Sequence, residues 1–128
     1  MEEIILYRLN KDTLKKLESL SDEEKSSFVN KMIDVFFVNC EEKLELIDSY
    51  IKKNEYTLAG RAAHNIKSGG QILGAEKFCY LCKNFEIQCL EDKWVSRDEF
   101  EKIKQEYSML KVELEKVKQG YDKNSIGS

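Results

Sequence analysis

The sequence has a single histidine, His64, and the residue types around it suit a nucleophile. An imidazole is largely neutral at neutral pH and is therefore nucleophilic. Gly60 and Ser68 stand one helical turn before and after it, where small residues let another protein approach closely. The ammonium of Lys67, three residues on, can offset the charge of a phosphoryl group on the ring. His64 is therefore a candidate phosphoryl acceptor, although an incidental surface histidine remains an alternative on these residues alone.

The phase of the surrounding helix predicts that His64 faces solvent. This helix is expected over roughly residues 55–73, capped by Asn54 and ended by Gly74 in a left-handed conformation. Successive residues turn by about 100°, which puts His64 about 200° from Ala62. The core face comprises Ala59, Ala62, Ile66, Gly69 and Leu73. The outward side comprises Thr57, Gly60, Arg61, His64, Lys67, Ser68 and Gln71.

Other candidate helices cover roughly residues 10–20, 21–53, 75–90 and 96–121, with Asn10, Ser21 and Ser96 as N-caps. The sequence has no proline and six glycines, which favours long helices with short connections. These patterns predict an all-α fold, an up-and-down antiparallel four-helix bundle with an additional short N-terminal helix. Residues 1–121 are expected to form the bundle, and residues 122–128 a flexible C-terminal tail.

The second candidate helix is apolar nearly all round in its first half. Met32 and Phe36 belong to its main apolar stripe, whereas Val35, Phe37 and Val38 fall outside it. Such a helix must be covered on a second side by another helix, or else offer an apolar surface to a partner.

The charge balance argues against nucleic acid as a partner. The formal net charge is −3, with 21 basic residues spread among 24 acidic ones, so there is no basic surplus. No apolar run approaches the roughly 20 residues that span a membrane, and the start does not have the pattern of a signal peptide. The cytoplasm is therefore the expected compartment, where cysteines usually stay reduced.

The four cysteines include a C-x-x-C pair, Cys79 and Cys82, which raises the possibility of a zinc or redox site. A structural zinc site needs four ligands, and the single histidine is expected to face outward on another helix. Cys40, Cys82 and Cys89 occupy apolar-stripe positions, where a free thiol behaves as a small hydrophobic group. The cysteines are therefore interpreted as packing residues, and no metal site is expected.

Residues 61–75 resemble the signature of histidine-containing phosphotransfer (HPt) domains, which reads roughly A-H-x-L-K-G-S-x-x-x-L-G-A. The matching positions are His64, Lys67, Leu73, Gly74 and Ala75, with Ile66 as a conservative replacement. The similarity extends over roughly residues 21–121. Ser68 stands where the family usually has glycine, which leaves partner choice and the lifetime of the phosphoryl group open.

The resemblance implies a phosphocarrier in a two-component phosphorelay. His64 would accept a phosphoryl group from a response-regulator aspartate and pass it on, and Lys67 would stabilise its charge. The docking surface would include Gly60, Arg61, Ser68 and Gln71 from this helix, and Val35 and Phe36 from the second one.

The expected partners are response-regulator receiver domains and a hybrid sensor histidine kinase, with the protein acting as a monomer. No cofactor of its own is expected, because magnesium would belong to the receiver. No glycine-rich nucleotide loop occurs, so no kinase activity is expected. The alternative is a non-catalytic helical adaptor that binds a partner through the apolar surface of the second helix, and a redox or zinc protein is a remote third interpretation.

Overall fold

The computed structural model describes the backbone of residues 5–20, 25–91, 95 and 97–127, and the side chains of residues 5–20, 28–91, 95 and 97–120. Helices dominate these residues, and none of the described residues is in a strand. The helices are α1 (Lys11–Ser19), α2 (Lys25–Lys52), α3 (Tyr56–Leu73), α4 (Glu76–Glu91) and α5 (Arg97–Gly127). No helix in this part of the chain is long and apolar enough to cross a membrane.

The four long helices pack in chain order, and α2 also packs against α5, so that they close around one core. Residues 53–55 join α2 to α3 and residues 74–75 join α3 to α4, and such short connections turn each helix back along its neighbour. The short α1 packs across α2 and α3. The predicted all-α bundle with an additional N-terminal helix is confirmed.

An aromatic cluster at the centre joins α2, α4 and α5. The rings of Phe36 and Phe78 meet edge to face with centroids 5.6 Å apart, and Tyr107 packs against both. Edge-to-face pairs add to the free energy gained by burying the rings themselves. The buried residues of α5 recur in steps of three and four along the helix and include Phe100, Ile103, Tyr107, Leu110 and Leu114.

The segment before α1 is hydrogen-bonded to the turn between α3 and α4. The amide of Asn10 donates to the carbonyl of Gly74 over 2.8 Å, and the amide of Lys77 donates to the carbonyl of Tyr7 over 3.0 Å. Asn10 also caps α1, as predicted, by accepting from the amides of residues 12 and 13. Gly74 has the predicted left-handed conformation, with φ +82°, and a Cβ there would lie 2.9 Å from the carbonyl oxygen of Asn10. The C-terminal end of α3 is thereby fixed.

A buried ion pair ties the same segment to α5. Glu106 is 1% exposed, and its two carboxylate oxygens accept from the Arg8 guanidinium over 3.0 and 3.2 Å. The ammonium of Lys77 lies 3.8 Å from the same carboxylate. A buried carboxylate needs such partners, because its desolvation is costly when it is unpaired.

The structure differs from the sequence predictions at two helix ends, the start of α3 and the end of α5. Asn54 is not the N-cap of α3: Glu55 takes that position, and Asn54 itself has a left-handed backbone with φ 59°. The predicted caps Ser21 and Ser96 lie outside the described residues. Helix α5 continues to Gly127, beyond the expected end of the bundle at 121, and the flexibility of residues 122–128 stays a prediction.

Candidate functional site

The orientation of α3 agrees with the predicted phase. His64 is exposed, with 58% of its side chain accessible, whereas Ile66 is completely buried. The remaining residues of the predicted core face are Ala59, Ala62 and Leu73, all buried, and Gly69, which is half-buried. The histidine can therefore be reached by a partner, and the helix that carries it is held by packing on its opposite side.

The imidazole of His64 is hydrogen-bonded to a carboxylate from the neighbouring helix. Its Nδ1 lies 2.9 Å from Oε1 and 3.2 Å from Oε2 of Glu86 on α4. An ionised carboxylate can only accept hydrogen bonds, so Nδ1 must be the donor. In the neutral ring the lone pair then remains on Nε2. The arrangement selects one tautomer and leaves Nε2 as the nucleophilic atom.

Lys67 reaches the same carboxylate from the other side. Its Nζ donates to Oε2 of Glu86 over 3.2 Å, so Glu86 bridges the imidazole and the ammonium. The sequence placed Lys67 on the solvated face, but only 15% of its side chain is exposed. The aliphatic stem is buried along the groove between α3 and α4, and the charged end points to Glu86, as is common for lysine.

Glu86 is the site residue that sequence reasoning did not single out as functional. It is 22 positions from His64 on a different helix, so the contact depends on how α3 and α4 pack. The sequence does contain a signal, because Phe85 and Cys89 mark the buried face of α4 and Glu86 lies about 100° from Phe85. A carboxylate at the edge of a buried stripe is placed to reach the next helix.

The close approach of α3 and α4 depends on glycine. A Cβ at Gly60 would lie only 2.9 Å from Cβ of Cys89, and one at Gly70 only 3.0 Å from Sγ of Cys79. The prediction that Gly60 faces outward is therefore wrong: it is buried against α4. Helix phase alone predicts a single buried face, but α3 packs against both α2 and α4, so a wider part of its surface is buried.

The other predicted docking residues divide into exposed and buried ones. Arg61, Ser68 and Gln71 are exposed, and Val35 on α2 is 65% exposed. Phe36 is 4% exposed and belongs to the aromatic core, so its predicted place on the docking surface is wrong. The exposed α2 residue that accompanies Val35 is Val38, 69% exposed.

Two polar contacts further shape this surface. The hydroxyl of Ser68 donates to the carbonyl of His64 over 3.2 Å. The amide of Asn39 on α2 donates to the side-chain oxygen of Asn65 over 2.8 Å. The second contact ties α2 to α3 at the residue next to His64, and the exposed valines of α2 share a shallow cleft with Asn39.

The cysteines behave as packing residues. All four are free, and burial raises the pKa of the Cys79 thiol to about 12 and that of Cys89 to about 11. Such thiols are protonated at neutral pH, whereas thiolates are the reactive and metal-binding form. Cys79 donates to the carbonyl of Lys67 over 3.3 Å. In the described part of the chain, no group of three or more histidine, cysteine or acidic residues is placed to hold a metal ion.

The chain is similar to known proteins in its family signature and in its fold. A family model described as Hpt domain matches residues 31–119. Histidine-containing phosphotransfer protein B of Pseudomonas aeruginosa has a similar structure, with a TM-score of 0.75 and 19% identity over 89% of this chain and 96% of that one. A histidine-containing phosphotransfer protein of Medicago truncatula gives a TM-score of 0.77 and 21% identity over 94% of this chain and 82% of that one. Curated protein sequences gave no significant match. At these identities the two structures establish a common fold.

Proposed function

Since the chain belongs to the Hpt domain family, whose members carry phosphoryl groups in phosphorelays, we propose that His64 is its phosphoryl acceptor. The observation that carries the proposal is the exposed imidazole whose Nδ1 is held by Glu86, which leaves Nε2 free to react. Fixing one tautomer prepares Nε2 for reaction, which an incidental surface histidine does not require.

The proposed transfer starts from an aspartyl phosphate in a receiver domain. The lone pair of Nε2 forms a bond to phosphorus, while the bond from phosphorus to the aspartyl oxygen breaks and the aspartate leaves as a carboxylate. The ring then carries the phosphoryl group on Nε2 and a proton on Nδ1. Attack by a second receiver's aspartate on the same phosphorus returns the imidazole to its starting state.

Lys67 supplies the charge stabilisation in this proposal. Its ammonium is held within the site by Glu86, 3.2 Å away, and it is one turn along α3 from His64. A phosphoryl group brings nearly two negative charges, which would draw the ammonium toward it. Lys67 would thus be shared between the carboxylate and the phosphoryl group.

Magnesium is assigned to the partner's receiver domain, because the residues around His64 do not fit it. Mg²⁺ prefers near-octahedral coordination by oxygen atoms. The carboxylate at the site, Glu86, already accepts from His64 and Lys67. No step of the transfer is therefore routed through a metal held by this chain.

The docking surface that we propose for receiver domains surrounds His64 on α3 and extends onto α2. It keeps the exposed residues of the original prediction and exchanges Phe36 for Val38: Val35, Val38, Arg61, Ser68 and Gln71. Gly60 acts indirectly, by letting α4 bring Glu86 to the histidine. The exposed valines that an adaptor would use lie beside Asn39, which contacts the residue next to His64, so docking and transfer can share this surface.

The protein is a phosphocarrier of its family, and we propose that it has no kinase activity of its own. We also propose that it acts as a monomer in the cytoplasm. Its partners in the proposal are response-regulator receiver domains and a hybrid sensor histidine kinase, from which the phosphoryl groups come. The buried, protonated thiols agree with a reducing compartment.

The test is phosphoryl transfer from a panel of labelled receiver domains to the wild type and to His64→Gln. Label on the wild type that is stable to base and labile to acid is expected, with none on the variant. The circular dichroism spectrum of the variant should match the wild type, because His64 is exposed. Persistent label on His64→Gln, or no label on the wild type from any receiver, would refute the assignment.

A further inference from the structure

Glu86 touches the reacting ring without taking part in the bond to phosphorus. We propose that its negative charge keeps the proton on Nδ1 of His64 after phosphorylation, so that the phosphoryl group is held on Nε2 in a form ready for onward transfer. This inference rests on the proposed role of His64 as the acceptor. It makes Glu86 a positioning residue for both halves of the relay reaction.

The geometry fixes the carboxylate from two directions. Both of its oxygens lie within 3.2 Å of Nδ1, and Oε2 also accepts from the Lys67 ammonium. The backbone of α4 lies close to α3 at this point, because a Cβ on Gly60 would be only 2.9 Å from Cβ of Cys89 and 3.7 Å from the carbonyl oxygen of Glu86. Glu86 is therefore aimed at Nδ1 by the fold before any phosphoryl group arrives.

The contact between Glu86 and Nδ1 affects transfer through the charge that the ring carries when it is phosphorylated. Bond formation at Nε2 of a ring protonated on Nδ1 gives a cationic phosphoimidazole, and its positive charge lies next to the Glu86 carboxylate. When the bond between Nε2 and phosphorus breaks, the electron pair returns to the ring, which leaves as neutral imidazole. If Nδ1 had lost its proton, the same step would expel an imidazolate anion, which is a much poorer leaving group. The carboxylate therefore keeps the phosphoryl group transferable.

The other charged side chains close in sequence to His64 on α3 and to Glu86 on α4 are cationic and oppose this protonation. On α3 they are Lys67 and Arg61, both cationic, and on α4 Lys83 lies one turn before Glu86. On α2 the neutral Asn39 meets this face through Asn65, and the acidic Asp34 and Glu42 line a shallow cleft with Asn39 and the two exposed valines. Among the described residues, Glu86 is the carboxylate in contact with the imidazole.

Replacing Glu86 by glutamine removes the negative charge but keeps a hydrogen-bond acceptor for Nδ1. In Glu86→Gln the side-chain oxygen can still accept from Nδ1, so Nε2 should remain the site of phosphorylation. The charge-assisted bond becomes a neutral one, which is roughly half as strong. Onward transfer should then decline at lower pH than in the wild type, with a midpoint lower by about one pH unit, equal to a tenfold change in the protonation equilibrium.

The experiment uses the fact that the chain has one histidine. Wild type, Glu86→Gln and the matched control Glu45→Gln, an exposed glutamate of α2, are phosphorylated with potassium phosphoramidate, which needs no receiver. Phosphorus and nitrogen NMR identify the phosphorylated ring nitrogen, and transfer of the phosphoryl group to one receiver domain is then timed between pH 6 and pH 9. Thermal unfolding of each variant confirms that the fold is unchanged.

We expect Nε2-phosphohistidine in all three proteins, and a pH profile that moves to lower pH only in Glu86→Gln. Superimposable profiles for wild type and Glu86→Gln, or a phosphoryl group on Nδ1 of the wild type, would overturn the role of Glu86 while leaving His64 as the acceptor. Absence of histidine phosphorylation in the wild type, from both phosphoramidate and receivers, would instead overturn the proposed function.

Discussion

Removing the charge of Lys67 should slow phosphoryl transfer several-fold without abolishing it. The ammonium is 3.2 Å from Glu86 in a partly buried pair, with 15% of the lysine side chain and 20% of the glutamate side chain exposed. An ion pair at the edge of the protein surface is worth about 1 kcal/mol, which corresponds to a rate factor of about five. Loss of His64, by contrast, removes the bond-forming atom and should leave no transfer.

The buried stem of Lys67 determines which substitution is informative. Lys67→Ala removes methylene groups that pack between α3 and α4, so it should lower the free energy of unfolding by about 1 kcal/mol in addition to removing the charge. Lys67→Met keeps an apolar stem of similar length and removes the charge alone. Lys67→Arg keeps the charge and serves as the matched control.

The assay is the time course of transfer from one phosphorylated receiver to the wild type and to the three variants, at equal concentrations and at two salt concentrations. Lys67→Met and Lys67→Ala should be slowed alike, Lys67→Arg should be close to wild type, and added salt should reduce the difference. If Lys67→Met equals the wild type in rate and endpoint, Lys67 has no electrostatic role, and its contact with Glu86 only supports packing.

Three further variants test the packing around the site and in the rest of the core. Gly60→Ala should lower the free energy of unfolding in urea by about 1–3 kcal/mol, as overpacking does. It should also slow transfer, because α4 must move away from α3. An unchanged transfer rate would show that the spacing of these helices does not affect the site. Arg8→Ala removes two hydrogen bonds to the buried Glu106 and leaves it with the Lys77 ammonium 3.8 Å away. It should lower the free energy of unfolding in urea by about 2 kcal/mol and leave transfer unchanged; the cost is below that of breaking a fully buried pair because a third of Arg8 is exposed. Cys79→Ser combined with Cys82→Ser should lower the melting temperature, because Cys82 is completely buried. The folded double variant should still accept a phosphoryl group. A folded variant that cannot accept it would contradict the packing interpretation.

The features that the sequence predicted correctly are each determined within a single helix. The turn of about 100° per residue placed His64 opposite the core, and the preference of glycine for positive φ placed the end of α3 at Gly74. Asn10 was identified as a cap because its side chain needs only the next three residues. Each of these features is determined by residues that lie close together in the chain.

The errors occurred where one helix meets two others. Gly60 was placed on the surface because it lies off the main stripe of α3, and Phe36 was assigned to the docking surface although it lies on the main apolar stripe of α2. Both are buried, since α3 has neighbours on two sides and α2 packs against α3 and α5. The contact of Glu86 with His64 was missed for the same reason, because its distance along the chain gives no periodic signal.

The same packing explains how an exposed imidazole can be held in one orientation by Glu86. The position of the Glu86 carboxylate follows from the separation of α3 and α4, and that separation is set by Gly60 and Gly70, where a methyl group would clash. The end of α3 is in turn fixed by Asn10 through Gly74. Hydrogen bonds weaken steeply as their geometry departs from the ideal, so a small displacement of α4 would release the imidazole. The reactive atom is at the surface, but the group that selects it is positioned by the core.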